Sequence, residues 1–307
     1  MTRSPTDIGA SAFSRLKALA RAPGQDFNLT LSRYACERLL YRLSRSPHRD
    51  GFMLKGATLF AVWEEEPHRP TRDIDLLGFG EDSAQRLREV FADVCRQAVE
   101  DDGVLFDPDS IRVVDIREGQ AYQGKRITVR GSVGTARLQV QVDVGFGDAV
   151  VGDVEEITMP TLLDFPAPRI RAYPVEAVVA EKLHAMAQHG MLNSRMKDIY
   201  DVRELAARVK FEGAHLCEAI RATFERRGLA VGEELPAALT PEFADDEAMR
   251  QRWDAFLRRN QLDGSDLMVA VVESQRFVAP PWSALAKSMP FTLRWPAGGP
   301  WEERTGR

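Results

Sequence analysis

The sequence is poor in cysteine and has no long apolar run, and each absence excludes a class of protein. Its three cysteines, Cys36, Cys95 and Cys217, are scattered over 307 residues. This excludes a disulfide framework and a cysteine-based zinc site, and it is typical of a reducing compartment. Every apolar run is far shorter than the ~18 residues that suggest a membrane span, and residues 1–24 lack the apolar stretch of a signal peptide. We therefore predict a cytoplasmic protein with no membrane partner.

The composition is otherwise that of an ordinary globular protein, with 44% hydrophobic and 28% charged residues. At roughly 150 residues per domain the length predicts about two domains, and the apolar content excludes global disorder. The net charge of -5 is unevenly distributed, because residues 1–50 contain nine basic and four acidic residues. A protein of net negative charge can still bind nucleic acid through one basic face.

Much of this basic excess lies on one predicted helix, residues 28–46, and just after it. The apolar residues of the helix recur at steps of three and four and leave its arginines on the other side. Two interpretations stay open: a solvated helix face, or a stripe that follows a phosphate backbone. The face would comprise Arg33, Arg38, Arg42, Arg45 and Arg49, of which the last four form the stripe.

Hydrophobic periodicity predicts a mixed α/β half followed by a helical half, an α+β fold class. We expect an α/β domain with N-terminal helices over residues 1–160, an α-helical domain over 161–290 and an irregular tail over 291–307. Strands are predicted at 73–79, 111–116, 125–133 and 136–146. Helices are predicted at 8–22, 28–46, 57–63, 82–100, 174–189, 195–208, 213–227, 245–260 and 264–277.

Asp73 and Asp75 alternate on the predicted strand 73–79, so both carboxylates point to the same face. Two carboxylates a few ångströms apart repel each other, and a divalent cation removes that repulsion. Mg²⁺ binds carboxylate oxygens together with the phosphate oxygens of a substrate. The alternative for an isolated D-x-D is a pair of surface aspartates at the end of a strand.

Two further features favour a metal site. Lys55-Gly56-Ala57-Thr58 lies at a strand-to-helix junction, where a glycine lets backbone N–H groups approach a phosphate closely. Asp143 lies on the alternating strand 136–146, on the side opposite to its apolar residues. A carboxylate there could complete a site of three carboxylates and two metal ions.

Four motifs in order resemble a single family: LKGATL (54–59), RPTRDIDL (69–76), EKLHAM (181–186) and RMKDIYDV (195–202). The glycine turn, the D-x-D strand and the later Asp resemble the nucleotidyltransferase fold of the DNA polymerase β type. Together the motifs resemble the AbiEii/MenT family of nucleotidyltransferase toxins from bacterial toxin–antitoxin and abortive-infection systems, over about residues 30–205. One position departs, because Ala57 stands where many members have Gly or Ser. No hydroxyl can contact a phosphate from Ala57, and Thr58 is the candidate substitute.

The resemblance implies a role for each matching residue. Asp73 and Asp75 correspond to metal ligands. Lys182 corresponds to the lysine that holds the triphosphate, and Asp198 to an acidic residue close to the reacting centre. The fold offers Asp143 as a third ligand, although this family does not use it uniformly. The implied nucleotide-binding residues are Lys55, Gly56, Ala57, Thr58, Thr71 and Lys182, so the helical domain would complete the active site.

The charged residues of the helical motifs also have a plainer interpretation. Lys197 and Asp201 are spaced i,i+4, and Arg195 and Asp198 are spaced i,i+3. Both spacings are typical of surface ion pairs, worth ~0.3–0.5 kcal/mol each.

The resemblance implies an enzyme that transfers a nucleoside monophosphate from an NTP to an acceptor and releases pyrophosphate, with Mg²⁺ or alternatively Mn²⁺ as cofactor. The implied acceptor is RNA, best a tRNA 3′ end, which would make the protein a growth-inhibiting toxin with a cognate antitoxin, bound directly or not. Alternatives are a protein or small-molecule acceptor and, because of Ala57, a catalytically weak nucleotide-binding module. A D-x-D phosphohydrolase is disfavoured, because that class has a buried apolar strand before the motif and this chain has Arg69-Pro70-Thr71-Arg72.

Overall fold

The computed structural model describes residues 7–21, 26–64, 69, 71–118, 122–152 and 154–303. The predicted end of the first helix at residue 22 and the last residues of the predicted tail lie outside these ranges. The chain divides into two compact units. Unit 1 comprises Met1–Glu65, Pro70–Gly147 and Glu155–Ala172, and unit 2 comprises Glu66–Arg69, Asp148–Val154 and Tyr173–Arg307. The division differs from a single cut at residue 160, because the hairpin over residues 155–172 belongs to the sheet of unit 1.

Unit 1 is built on a seven-stranded mixed sheet, in the order β3-β4-β5-β2-β1-β7-β6. The strands are β1 (Phe52–Lys55), β2 (Asp73–Gly78), β3 (Val104–Glu118), β4 (Tyr122–Val133), β5 (Ala136–Phe146), β6 (Glu155–Thr158) and β7 (Arg169–Ala172). Strand β2 runs parallel to β5 and β1 runs parallel to β7, whereas the remaining neighbours are antiparallel. The expected α+β fold class with a mixed sheet is confirmed, although neither β6 nor β7 was predicted.

The helices of unit 1 cover one face of this sheet. Those that pack on the sheet are α1 (Ile8–Leu19), α2 (Phe27–Arg45) and α4 (Ala84–Arg96), and the single turn α3 (Phe60–Trp63) follows β1. Leu39 of α2 and Phe91 of α4 pack against Ile74 and Val142 of the sheet, and all four side chains are buried. Because side chains alternate along a strand, the residues next to Ile74 on β2 and next to Val142 on β5 point to the other face of the sheet. That other face carries the predicted site residues of β2 and β5.

Two arginines of the predicted stripe on α2 are buried, so both interpretations of that stripe are wrong for them. Arg38 is fully buried, and its Nη2 donates to the carbonyl of Pro166 at 2.8 Å. Arg42 forms a bidentate ion pair with the buried Asp102, in which Nη1 and Nη2 donate to the two carboxylate oxygens at 2.7 and 3.0 Å. Its Nη2 also donates to the carbonyl of Val104 at 3.1 Å. The helical spacing was correct, but spacing does not indicate that a second layer of chain covers the polar side of the helix.

Arg42→Ala is expected to lower the free energy of unfolding by about 3–5 kcal/mol, because it leaves the Asp102 carboxylate buried without its guanidinium. Arg45→Ala is the matched control: it lies three residues further along the same helix, but its side chain is exposed. It should change stability by less than about 0.5 kcal/mol. Urea unfolding of both variants checks the difference, and equal losses would contradict the buried position of Arg42.

Unit 2 is mainly helical. Its helices are α5 (Val175–His189), α6 (Met196–Arg208), α7 (Gly213–Arg226), α8 (Pro241–Asp245), α9 (Glu247–Asn260) and α10 (Leu267–Ala286), and β8 (Phe211–Glu212) pairs with β9 (Arg294–Trp295). In the region of the predicted tail, Trp295 and Trp301 pack on Phe277, with ring centroids 5.2 and 5.6 Å apart. Across the described residues, no helix has both the length and the apolar character needed to cross a membrane.

Candidate active site

Four charged residues form a row across four neighbouring strands of unit 1. Lys55 on β1 is paired in register with Asp75 on β2, Asp75 with Asp143 on β5, and Asp143 with Arg126 on β4. Residues paired in register direct their side chains to the same face, with Cβ atoms about 5 Å apart. The charged row therefore places one cation at each end and two carboxylates in the middle.

Asp73 lies on the same face as the charged row, two residues before Asp75, and both aspartates are half-buried. The backbone of Asp73 is held by two hydroxyls: Thr58 Oγ1 and Thr71 Oγ1 both donate to the Asp73 carbonyl, at 3.2 and 3.3 Å. The two threonines predicted to bind nucleotide thus lie beside the aspartates, and in this structure their hydroxyls position the start of β2.

Gly56 occupies a place that no other residue fits. Its φ of +73° is disfavoured for residues with a side chain, and a Cβ built on it would overlap the carboxylate of Asp75. The glycine turn and Asp75 are therefore in direct contact. Ala57, the departure from the family pattern, is buried, so its methyl group is directed into the protein.

The aspartate pair fits a hard divalent cation by its chemistry. Asp73 and Asp75 offer carboxylate oxygens on one half-buried face, and Mg²⁺ is commonly bound through one or two carboxylates plus substrate phosphates and water. Asp143 is held differently: Arg126 Nε donates to its Oδ1 at 2.8 Å and Nη2 donates to its Oδ2 at 2.7 Å. Among the described residues no group of three or more His, Cys, Asp or Glu side chains is arranged to bind a metal. A third ligand at Asp143 stays a prediction.

A second set of predicted residues lies in unit 2, where it forms a buried charge cluster that we call the Lys182 cluster. Lys182 Nζ donates to Asp198 Oδ1 at 3.1 Å and to Asp201 Oδ2 at 2.5 Å. Arg195 Nε donates to Asp198 at 2.7 Å, and Arg69 donates to both oxygens of Asp201 at 2.5 and 2.8 Å. The cluster thus balances three cations against two carboxylates.

Burial decides how the Lys182 cluster behaves. The side chains of Asp198 and Asp201 are 1% and 0% exposed, so the interpretation of these residues as surface ion pairs is wrong. Burial raises the pKa of Asp198, but Lys182 and Arg195 outweigh it and hold the pKa below its ordinary value. The carboxylate is therefore ionised at neutral pH and keeps the lysine ammonium in place.

Two members of the Lys182 cluster, Arg69 and Asp201, had no role in the sequence-based prediction. Both lie within the quoted motifs RPTRDIDL and RMKDIYDV. Asp201 had been paired with Lys197, whose side chain is exposed. Only their place in these motifs could have indicated the two residues. No local spacing predicts the pair, because 132 residues separate Arg69 from Asp201.

The family model of the nucleotidyl transferase AbiEii toxin, type IV TA system, matches residues 38–287 of the chain. Among solved structures, a proposed nucleotidyltransferase from H. pylori is 13% identical with a TM-score of 0.45, covering 82% of this chain and 92% of that one. JHP933 from Helicobacter pylori is 12% identical with a TM-score of 0.46, covering 94% and 95%. No curated protein matches the sequence. The range matched by the family model contains both the charged row and the Lys182 cluster.

Proposed function

The chain belongs to the AbiEii family of nucleotidyltransferase toxins, and from this premise we propose that it transfers a nucleoside monophosphate from an NTP to the 3′ end of an RNA. The observation that carries the proposal is the pair Asp73 and Asp75, set on the polar face of a sheet and directly against the Gly56 turn. A carboxylate pair beside a glycine turn suits a triphosphate bound with a divalent cation.

Asp73 and Asp75 would hold Mg²⁺ or Mn²⁺. Such an ion would neutralise the negative charge on the phosphate oxygens during phosphoryl transfer. Gly56 lets the backbone of the turn lie against Asp75, since a side chain there would displace the Asp75 carboxylate. Thr58 and Thr71 are positioning residues, because their hydroxyls fix the carbonyl of Asp73 and hence the direction of its carboxylate. Lys55, at one end of the charged row, supplies positive charge beside the turn.

Lys182 is proposed to bind the triphosphate. An ammonium has three N–H donors, and Asp198 and Asp201 accept two of them. No described residue accepts the third, which would bind a phosphate oxygen, and the side chain retains 12% exposure. Asp198 and Asp201 then act as positioning residues that hold the ammonium in one orientation.

The family description implies a nucleotide substrate and an antitoxin partner. We propose that the acceptor is RNA, with a tRNA 3′ end as the specific candidate, and that its modification stops growth. Loss of a usable 3′ end would block translation without any change to the protein synthesis machinery itself. The antitoxin can oppose this effect with or without direct contact.

The proposal is tested by incubating the protein with total RNA, Mg²⁺ and each α-labelled NTP in turn, and by separating RNA, protein and small molecules afterwards. We expect label in small RNA and release of pyrophosphate. Label in the protein or in a small molecule would overturn the RNA acceptor. Release of inorganic phosphate without label transfer would indicate a phosphohydrolase, and NTP binding without either product would indicate a catalytically weak binding module.

A further inference from the structure

One face of strands β3, β4 and β5 carries polar and basic side chains next to the aspartate pair. Helices α1, α2 and α4 pack on the opposite face, where Val104, Val133 and Val142 are buried. The register of the three strands defines which residues share the uncovered face. We call it the open face, and its described members include Leu105, Asp107, Arg112, Val114, Arg126, Thr128, Arg130, Ser132, Arg137, Gln139, Gln141 and Asp143.

Much of the open face is exposed to solvent. Arg112, Arg130 and Arg137 are exposed. Two large apolar side chains lie among them, Leu105 at 72% and Val114 at 56% exposure.

The open face has an excess of positive charge, with four arginines against two aspartates. Arg126 is paired with Asp143 and Arg130 with Asp107, at 2.7 and 3.4 Å. Arg112 and Arg137 form no ion pair with any carboxylate in the described part of the chain. By contrast, most arginines of the basic stripe predicted on α2 form ion pairs with carboxylates of the protein itself. Exposed arginines without carboxylate partners complement a polyanion.

The open face also lies on one particular side of the aspartate pair. Along the charged row, Lys55 and the Gly56 turn are on the β1 side of Asp75, whereas Asp143 and Arg126 are on the β5 side. If the triphosphate lies at the glycine turn, the acceptor approaches Asp75 from the opposite side, because nucleophile and leaving group are in line. That side is the open face.

We propose that the open face binds the strand of the acceptor RNA and guides its 3′ end to Asp75. The inference rests on the proposed function and adds the surface that recognises its acceptor. Arg137 precedes Asp143 by six residues on β5, so the face extends about 20 Å from the charged row. This length corresponds to about six phosphates of a stacked strand at 3.4 Å each. Arginines contact the phosphates, while Leu105 and Val114 lie against sugars and bases.

The test uses the double variant Arg112→Ala/Arg137→Ala, which leaves no buried carboxylate without its partner. Its matched control is Arg45→Ala/Arg88→Ala, which removes the same charge from two exposed arginines of α2 and α4. Binding of a labelled, unstructured 12-nucleotide RNA is measured between 50 and 200 mM salt. The open-face variant should bind this RNA roughly tenfold more weakly near 0.15 M salt, with a salt slope smaller by about 1.4, since each phosphate contact with a single strand contributes about 0.7.

Two parallel measurements separate this inference from the proposed function. NTP binding by titration calorimetry should be unchanged in both variants, and labelled transfer by the unmodified protein shows whether RNA is the acceptor. If that protein labels RNA but the open-face variant binds RNA as the control does, with the same salt slope, the inference is overturned and the function stands. If the unmodified protein labels no RNA, the proposed function fails and the inference fails with it. Weaker RNA binding in both variants alike would also overturn the inference, because general charge would then suffice.

Discussion

Asp75→Asn is expected to reduce nucleotide transfer by at least about 10³-fold, equivalent to about 4 kcal/mol of transition-state stabilisation. The amide has the shape of the carboxylate but lacks its charge, so the residue can no longer hold a divalent cation beside the Gly56 turn. Asp73→Asn should have an effect of the same order, because the two side chains share one face of β2. Steady-state transfer with labelled NTP at saturating Mg²⁺ measures both losses.

The loss should be one of chemistry and not of folding. Asp75 is half-buried on a polar face, and the isosteric amide leaves neither a cavity nor a clash with Gly56. Asp93→Asn is a matched control, since Asp93 is an exposed carboxylate on α4, which packs on the opposite face of the sheet. Its transfer rate should stay within about threefold of the unmodified protein, because the nucleotide side of the sheet is untouched.

A second readout does not depend on activity. Mg²⁺ together with NTP should raise the midpoint of thermal unfolding of the unmodified protein, since a ligand that binds only the folded state stabilises it. The same addition should raise the midpoint of Asp93→Asn but not of Asp75→Asn. Near-normal transfer by Asp75→Asn in Mg²⁺ would show that the metal site has been assigned to the wrong carboxylates.

The parts of the fold that depend on local pattern could be predicted from the sequence. Strand β2 and the three-stranded segment β3–β5 alternate apolar and polar residues, and helices α5, α6 and α7 begin and end close to their predicted bounds. These elements bury one face each, and a single periodic face is sufficient to identify them. The alternation also placed Asp73, Asp75 and Asp143 on one side of the sheet, which the register of β2 and β5 now gives as neighbours.

The parts that depend on distant segments could not be predicted. Strands β6 and β7 have four residues each, too short for a periodic signal, and they form strands because they pair with each other and with β1. Arg42 looked like a surface residue because Asp102, 60 positions away, gives no local sign of the pair they form. A buried ion pair can be predicted only if both partners are known. An amphipathic pattern shows only which side of the helix is apolar.

The same dependence on distant segments explains why the ion pairs around Lys182 could not be predicted. The resemblance of the motifs implies roles for Lys182 and Asp198, but the pattern of charges around them predicts exposed pairs on one helix. In the structure Asp201 turns inward to Arg69 and Lys182, and Lys197 is left at the surface. Lys182 therefore lies within a buried charge cluster, whereas Lys197 lies at the surface. Substituting each lysine in turn tests whether a specific contact or general positive charge matters.

Lys182→Ala is expected to lower kcat/KM for NTP by about 10²–10³-fold, the effect typical of removing one preorganised charged donor from a transition state. Lys197→Ala should lower it by less than about threefold, although it removes the same charge from a position 15 residues further along the chain. The physical reason is the pairing of the ammonium: Asp198 and Asp201 each accept a hydrogen bond from Lys182, whereas the Lys197 side chain is exposed.

Lys182→Ala also removes a cation from a buried cluster, so its stability has to be measured along with its kinetics. Arg195 still neutralises Asp198 and Arg69 still neutralises Asp201, which limits the loss of unfolding free energy to below the about 3–5 kcal/mol of a fully broken buried pair. Lys182→Gln provides the second variant, because its amide can donate to both aspartates while it carries no charge. If Lys182→Gln is folded and binds NTP as weakly as Lys182→Ala, the charge on Lys182 is what holds the triphosphate. Equal losses at Lys182 and Lys197 would show instead that general positive charge, and no specific contact, attracts the nucleotide.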